Sequence, residues 1–88
     1  MNFMKHRLSG QLKLPSDLTD GDILISMTGV HESFIENYRG IVEYTDTCIL
    51  LAGRNGQVQF SGKQLTITYY TNDEMKIEGT FESIKFLN

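Results

Sequence analysis

Ile35-Glu36-Asn37-Tyr38-Arg39-Gly40-Ile41-Val42-Glu43-Tyr44-Thr45 holds two short β-like runs hinged at Arg39-Gly40. Val42 and Tyr44 alternate with Ile41 and Glu43, as side chains do in a strand with one buried face. Glycine adopts positive φ angles without a Cβ clash, so the chain is expected to turn or bulge at Gly40. After this stretch the sequence reads as strand, turn, strand; ahead of it lies a basic preface.

Working outward, Asp22 to Thr28 reads as a strand with Ile23, Ile25 and Met27 on one face, closed by Gly29. Ser33 to Tyr38 is a second, with Phe34 and Tyr38 opposing Ile35 and Asn37. Ile41 to Tyr44 is a third, and Thr45-Asp46-Thr47 is a turn. Cys48 to Ala52 has no polar face, which suits a central or doubly covered strand. Asn55-Gly56 then gives the strongest short-range hairpin signal in the chain. Beyond it Val58 and Phe60, then Leu65, Ile67 and Tyr69, then Met75 and Ile77 alternate with polar residues. Turns are expected at Gly62-Lys63 and at Thr71-Asn72-Asp73, and a last strand with Phe81, Ile84 and Phe86 follows Gly79.

Val58-x-Phe60-x-Gly62 with Ile67 and Tyr69 repeats as Met75-x-Ile77-x-Gly79 with Ile84 and Phe86, a period of seventeen. Two copies of one unit produce such an echo, and so does a regular meander; we weight the meander more heavily. The expected fold is all-β, a small antiparallel meander closed into a roll, barrel or sandwich, with a β-solenoid-like coil as the alternative.

The preface, residues 1–15, precedes a single β domain over residues 22–88. Met4, Leu8 and Leu12 recur at helical spacing with Lys5, His6 and Arg7 turned away, so residues 2–12 are expected to form a short helix. Ser9-Gly10 weakens it and Pro15 ends it. An isolated helix this short is marginal in water. It needs a surface: its own β domain, a partner, or lipid.

The chain has 88 residues and a net charge of −3, too acidic overall for a general nucleic-acid binder. The charge is uneven. Residues 1–15 carry Lys5, Arg7 and Lys13 and no acid, whereas all eleven acids lie in residues 16–88. No apolar run approaches the ~20 residues of a membrane span, and Lys5, His6 and Arg7 interrupt any signal-peptide core. At most peripheral membrane contact is expected, with the chain in the cytoplasm. No cofactor is implied.

Catalytic chemistry finds little support. His6 and His31 are the two histidines, and Cys48 sits in an apolar run that disfavours its thiolate. A Cys48–His31 dyad is the nucleophilic pair to weigh, and the apolar surroundings of Cys48 count heavily against it. Asp17, Asp20 and Asp22 lack the glycine and terminal glutamate of a calcium loop. Phe60, Tyr69, Phe81 and Phe86 are expected in the core, and Tyr38 and Tyr70 partly exposed. A small barrel binding a ligand or single-stranded nucleic acid is the second functional reading, opposed by the acidic balance.

The ordered set of motifs carries a resemblance. A basic segment ends at Leu14-Pro15, and a strand ends at Thr28-Gly29. Then come Ile35-Glu36-Asn37-Tyr38-Arg39-Gly40-Ile41 and Glu43-Tyr44-Thr45. Gly56-x-Val58-x-Phe60-x-Gly62-x-x-Leu65-x-Ile67 follows, then Glu74-Met75-Lys76-Ile77-Glu78-Gly79 and Glu82-Ser83-Ile84-x-Phe86. In this order they resemble the YabP/YqfC family of sporulation proteins, closest to its YqfC branch. Val30-His31 and the Arg54-Asn55 turn tip depart from that pattern.

The resemblance implies a non-enzymatic role in endospore formation, in the mother cell of a spore-forming bacterium. It also implies a YqfD-like membrane protein as partner, through which the chain would reach a membrane. No catalytic residue is carried over. Candidate partner-binding residues are Phe3, Met4 and Leu8 on the helix and Asn37, Tyr38 and Arg39 at the hinge. Tyrosine and arginine are enriched at binding hot spots, although Arg39 reads equally as a surface turn charge. Exposed β edges could pair copies into a homo-oligomer.

Overall fold

The computed structural model describes residues 21–88. The helix expected over residues 2–12 lies outside them. Six strands follow in order: β1 (Leu24–Thr28), β2 (Glu32–Glu36), β3 (Gly40–Tyr44), β4 (Cys48–Ala52), β5 (Gln57–Tyr70) and β6 (Glu74–Leu87). They form one sheet in the order β1-β2-β6-β5-β4-β3, every pair antiparallel. The all-β, antiparallel expectation holds, and antiparallel pairing throughout is not the stacking of a solenoid-like coil.

The turn expected at Gly62-Lys63, and the strand break expected at Gly79, are absent. Both sites lie inside 14-residue strands. The β5–β6 register slips between Ser61 and Gly62, between Lys63 and Thr66, and between Ile67 and Tyr69. Extra residues of this kind bend a ribbon and raise its twist. The glycines make the bend possible. A Cβ on Gly62 would drive into the Thr80 carbonyl, and one on Gly79 would lie 2.6 Å from the Gln64 oxygen. The two backbones therefore cross in contact, and the ribbon folds where a sequence reader sees it stop.

The fold gives each long strand two halves. Residues 57–61 pair with β4, and residues 74–78 pair with β2. The sheet thus rolls over one core, with β1 and β3 as its edges. Ile35, Ile49, Leu51, Val58, Phe60, Leu65, Met75, Ile77 and Phe81 fill the interior. Each such side chain contributes roughly 1.5–3 kcal/mol by leaving water. The Phe60 and Phe81 rings meet edge-on at 5.8 Å across the bend. β4 is an interior strand between β5 and the edge strand β3, and since only Ile49 and Leu51 are fully buried it is not doubly covered as its apolar sequence suggests.

Other expectations shift. The left-handed residue of the hinge is Asn37, with φ of 71°, and the bulge in β3 falls between Ile41 and Glu43 rather than at Gly40. β2 ends at Glu36, so Tyr38 leaves the strand and turns inward. Tyr69 faces outward opposite Lys76, because the slip after Ile67 sets Tyr70 opposite the buried Met75. Phe86 pairs with Val58 on the inner face yet is 71% exposed.

The strand order reads the same in both directions once β1 exchanges with β3, β2 with β4, and β6 with β5. Backbone hydrogen bonds obey the same exchange. Gly79 N–H donates to His31 O as Gly62 N–H donates to Thr47 O, and Asn37 N–H donates to Asp73 O as Gly53 N–H donates to Gly56 O; Phe81 N–H to Val30 O and Leu65 N–H to Asp46 O correspond within one residue. The seventeen-residue echo is thus a two-fold pseudo-symmetry about the β5–β6 ribbon, and the plain-meander explanation gives way. β1 and β3, like β2 and β4, are related by sixteen residues.

Gly62→Ala should destabilise the chain by about 1–3 kcal/mol, the usual cost of overpacking. Gly40→Ala, where an added Cβ meets nothing within 4 Å, should change stability by less than about 0.5 kcal/mol. Urea unfolding followed by circular dichroism checks both.

Candidate functional site

The bulged end of the roll is closed by the turns before β2 and β4. The opposite end gathers every remaining loop. Asn37 N–H donates to Asp73 O, and Arg39 N–H to Ala52 O. Asn37 Nδ2 donates to Asp22 O at 2.8 Å, and Asn55 Nδ2 to Asp22 Oδ1 at 2.9 Å. The hinge thus stitches both halves of the roll together at this end.

Tyr38 is the centre of that stitch. It is 4% exposed, so the sequence-based expectation of partial exposure is corrected. Asn37's left-handed backbone turns the chain so that the ring enters the gap between the halves. Its hydroxyl donates to Thr71 O at 2.5 Å and Glu74 O at 2.8 Å, and its ring stacks on Tyr70 with centroids 6.2 Å apart. Burial pushes the phenol up to about 12, and Tyr70, Asp73 and Glu74 add to the shift. Tyr38 is therefore a plug, and only Arg39 of the hinge trio presents an exposed side chain.

Phe3, Met4 and Leu8 lie outside the described residues. Among the described residues no group of three or more His, Cys, Asp or Glu is arranged to hold a metal ion. Cys48 is half-buried and receives the Gln59 amide at 3.2 Å, while the carbonyl of His31 in the β1–β2 turn accepts from Gly79.

Two features escaped the sequence reading. The first is the edge strand β3, where Val42 is 54% and Tyr44 48% exposed with no lysine or proline to discourage pairing. Tyr44 does one further thing: its hydroxyl accepts from the Ile67 N–H at 2.9 Å, tying β3 to the far half of β5. The second is a hollow of about 300 Å³ at the loop end, floored by Ile23, Val58, Phe86 and Leu87 and rimmed by Asp22 and the Asn55-Gly56 turn. The alternating pattern of residues 57–60 and 84–87 marked these side chains as apolar; only the roll shows that nothing described covers Phe86.

Comparison with known proteins gives a consistent picture. The model of the YabP family matches residues 19–88. The uncharacterized protein YqfC of Bacillus subtilis (strain 168) is 30% identical over 86 residues, covering 98% of this chain and 92% of that one. No solved structure matches.

Tyr38→Phe should cost roughly 0.5–1.5 kcal/mol for the lost hydrogen bond. It should also change the alkaline limb of stability. The unfolded phenol ionises near 10, whereas the folded one holds its proton to about 12. Tyr38 thus contributes its full share below pH 10 and loses it as pH rises through that window. The difference between wild-type and Y38F unfolding free energies should shrink from pH 10 to pH 12.

Proposed function

The chain belongs to the YabP family, and on that premise we propose that it is a non-enzymatic sporulation protein acting as an adaptor or assembly module in the mother cell. The observation that carries the reading is the contrast between a filled interior and an edge strand, β3, whose Val42 and Tyr44 side chains stand exposed beside Glu43 and a bulge. The core is packed with aliphatic and aromatic side chains, and the polar groups at the loop end are spent on tying loops together. Binding capacity among the described residues lies on the outside, at the β3 edge; the sequence adds the basic residues of the preface.

A YqfD-like membrane protein is the partner we favour. Phe3, Met4 and Leu8 supply an apolar contact and Lys5, Arg7 and Lys13 a charged rim, a combination suited to a protein docking surface. Arg39 is the described cation nearest the loop end's hinge and adds a hot-spot residue type to that surface. Among the described residues no helix is long and apolar enough to cross a membrane, so a membrane location would come through the partner. Pairing of β3 between copies is the second mode of assembly, and it uses a different surface.

Co-purification tests the reading. Full-length protein tagged in sporulating cells should recover one membrane protein after gentle solubilisation, and a chain lacking residues 1–15 should lose it. Recovery of the tagged protein alone from both forms would sink the adaptor role and leave self-assembly through β3.

A further inference from the structure

The pseudo-symmetry makes the hollow at the loop end interpretable. The sixteen-residue step that carries β1 onto β3 carries Asp22 onto Tyr38 and Gly21 onto Asn37. Gly21 and Asn37 share the left-handed backbone, with φ of 82° and 71°. The seventeen-residue step between β5 and β6 carries Val58 onto Met75, Phe86 onto Tyr69 and Leu87 onto Tyr70. Hence the hollow is the counterpart of the gap that Tyr38 fills. On one side an aromatic ring plugs the roll; on the other Asp22 is too short to do so, and its carboxylate turns to Asn55.

A hollow of about 300 Å³ with an exposed phenylalanine on its wall calls for an apolar side chain. Two features of this chain identify its source. Residues 1–20 join the described residues at Gly21, next to Asp22 on the rim of the hollow, so any side chain they supply arrives at the high effective concentration of a tether. The charges also complement one another: Asp22 is the one charged side chain among the lining residues of the hollow, and residues 1–15 carry three cations and no acid.

We infer that the apolar side chains of residues 2–12, led by Phe3, occupy the hollow between β1 and the end of β6 as the second plug of the roll. The inference is independent of the adaptor reading, since occupancy is a property of the isolated chain. It adds one consequence to it: a partner that takes Phe3, Met4 and Leu8 must draw them out of this hollow and expose Phe86.

The chain contains no tryptophan, so Phe3→Trp installs a single reporter in the full-length protein. Its emission should be blue-shifted relative to the same chain in urea, and the shift should not change on dilution. Phe86→Asp alters an exposed wall of the hollow and should return the emission to that of a solvated indole with the β-sheet circular dichroism intact. Asp22→Tyr, which copies the Tyr38 plug, should do the same wherever the variant folds. A solvated indole in F3W alone would overturn the inference. So would a blue shift that survives F86D or folded D22Y, which would place the segment elsewhere. A shift lost on dilution would overturn it too, since the occupant would then belong to a second copy.

Discussion

The structure depends on two backbones touching. At Gly62 and Gly79 the strands of the β5–β6 ribbon come closer to each other's neighbours than any side chain permits. That contact lets a 14-residue hairpin fold over on itself. Without the fold the sheet would be open and flat, with one face of Val58, Phe60, Met75 and Ile77 left in water. Hydrophobic burial supplies the drive, but the missing Cβ atoms decide the shape that burial takes.

Folding the ribbon at its middle brings two equivalent hairpins, β1–β2 and β3–β4, onto opposite halves. Each caps the bend through a pair of turn carbonyls. The symmetry is broken at the loop end. Asn37-Tyr38 carries the chain from one half to the other and closes its side with a ring and two hydrogen bonds. Gly21-Asp22 makes the same turn without a ring. A chain of 88 residues has a thin core, so a single aromatic plug is a sizeable fraction of what closes it.

Much of the fold was legible in the sequence. Period-two alternation identified the strands, and Asn55-Gly56 marked a hairpin whose Gly53 amide bonds to the Gly56 carbonyl. The inward-facing Val58, Phe60, Leu65, Met75 and Ile77 are all buried. What was not legible is long-range. Glycine in a strand signals a turn or a close approach equally well from sequence, and Gly62 and Gly79 are the second kind. A one-residue slip after Ile67 moved Tyr69 to the outer face, and alternation alone does not reveal a slip. Tyr38 sits in the motif that carried the family resemblance, and a tyrosine beside a turn reads as a binding residue until its hydroxyl is seen to cap Thr71 and Glu74. The hollow was invisible because its walls come from segments far apart in the chain.

Asp22 and Asn88 line the same hollow, so the two ends of the β domain are neighbours in space. Chains whose ends meet tolerate being joined there and reopened at another exposed turn. The sheet stays open between β1 and β3, but the path of the domain returns to where it began, and its order of synthesis is one of several that would reach the same sheet. Asn55-Gly56, on the far rim of that hollow, offers a natural place to cut the circle, and the preface could then be carried on either side of the new opening.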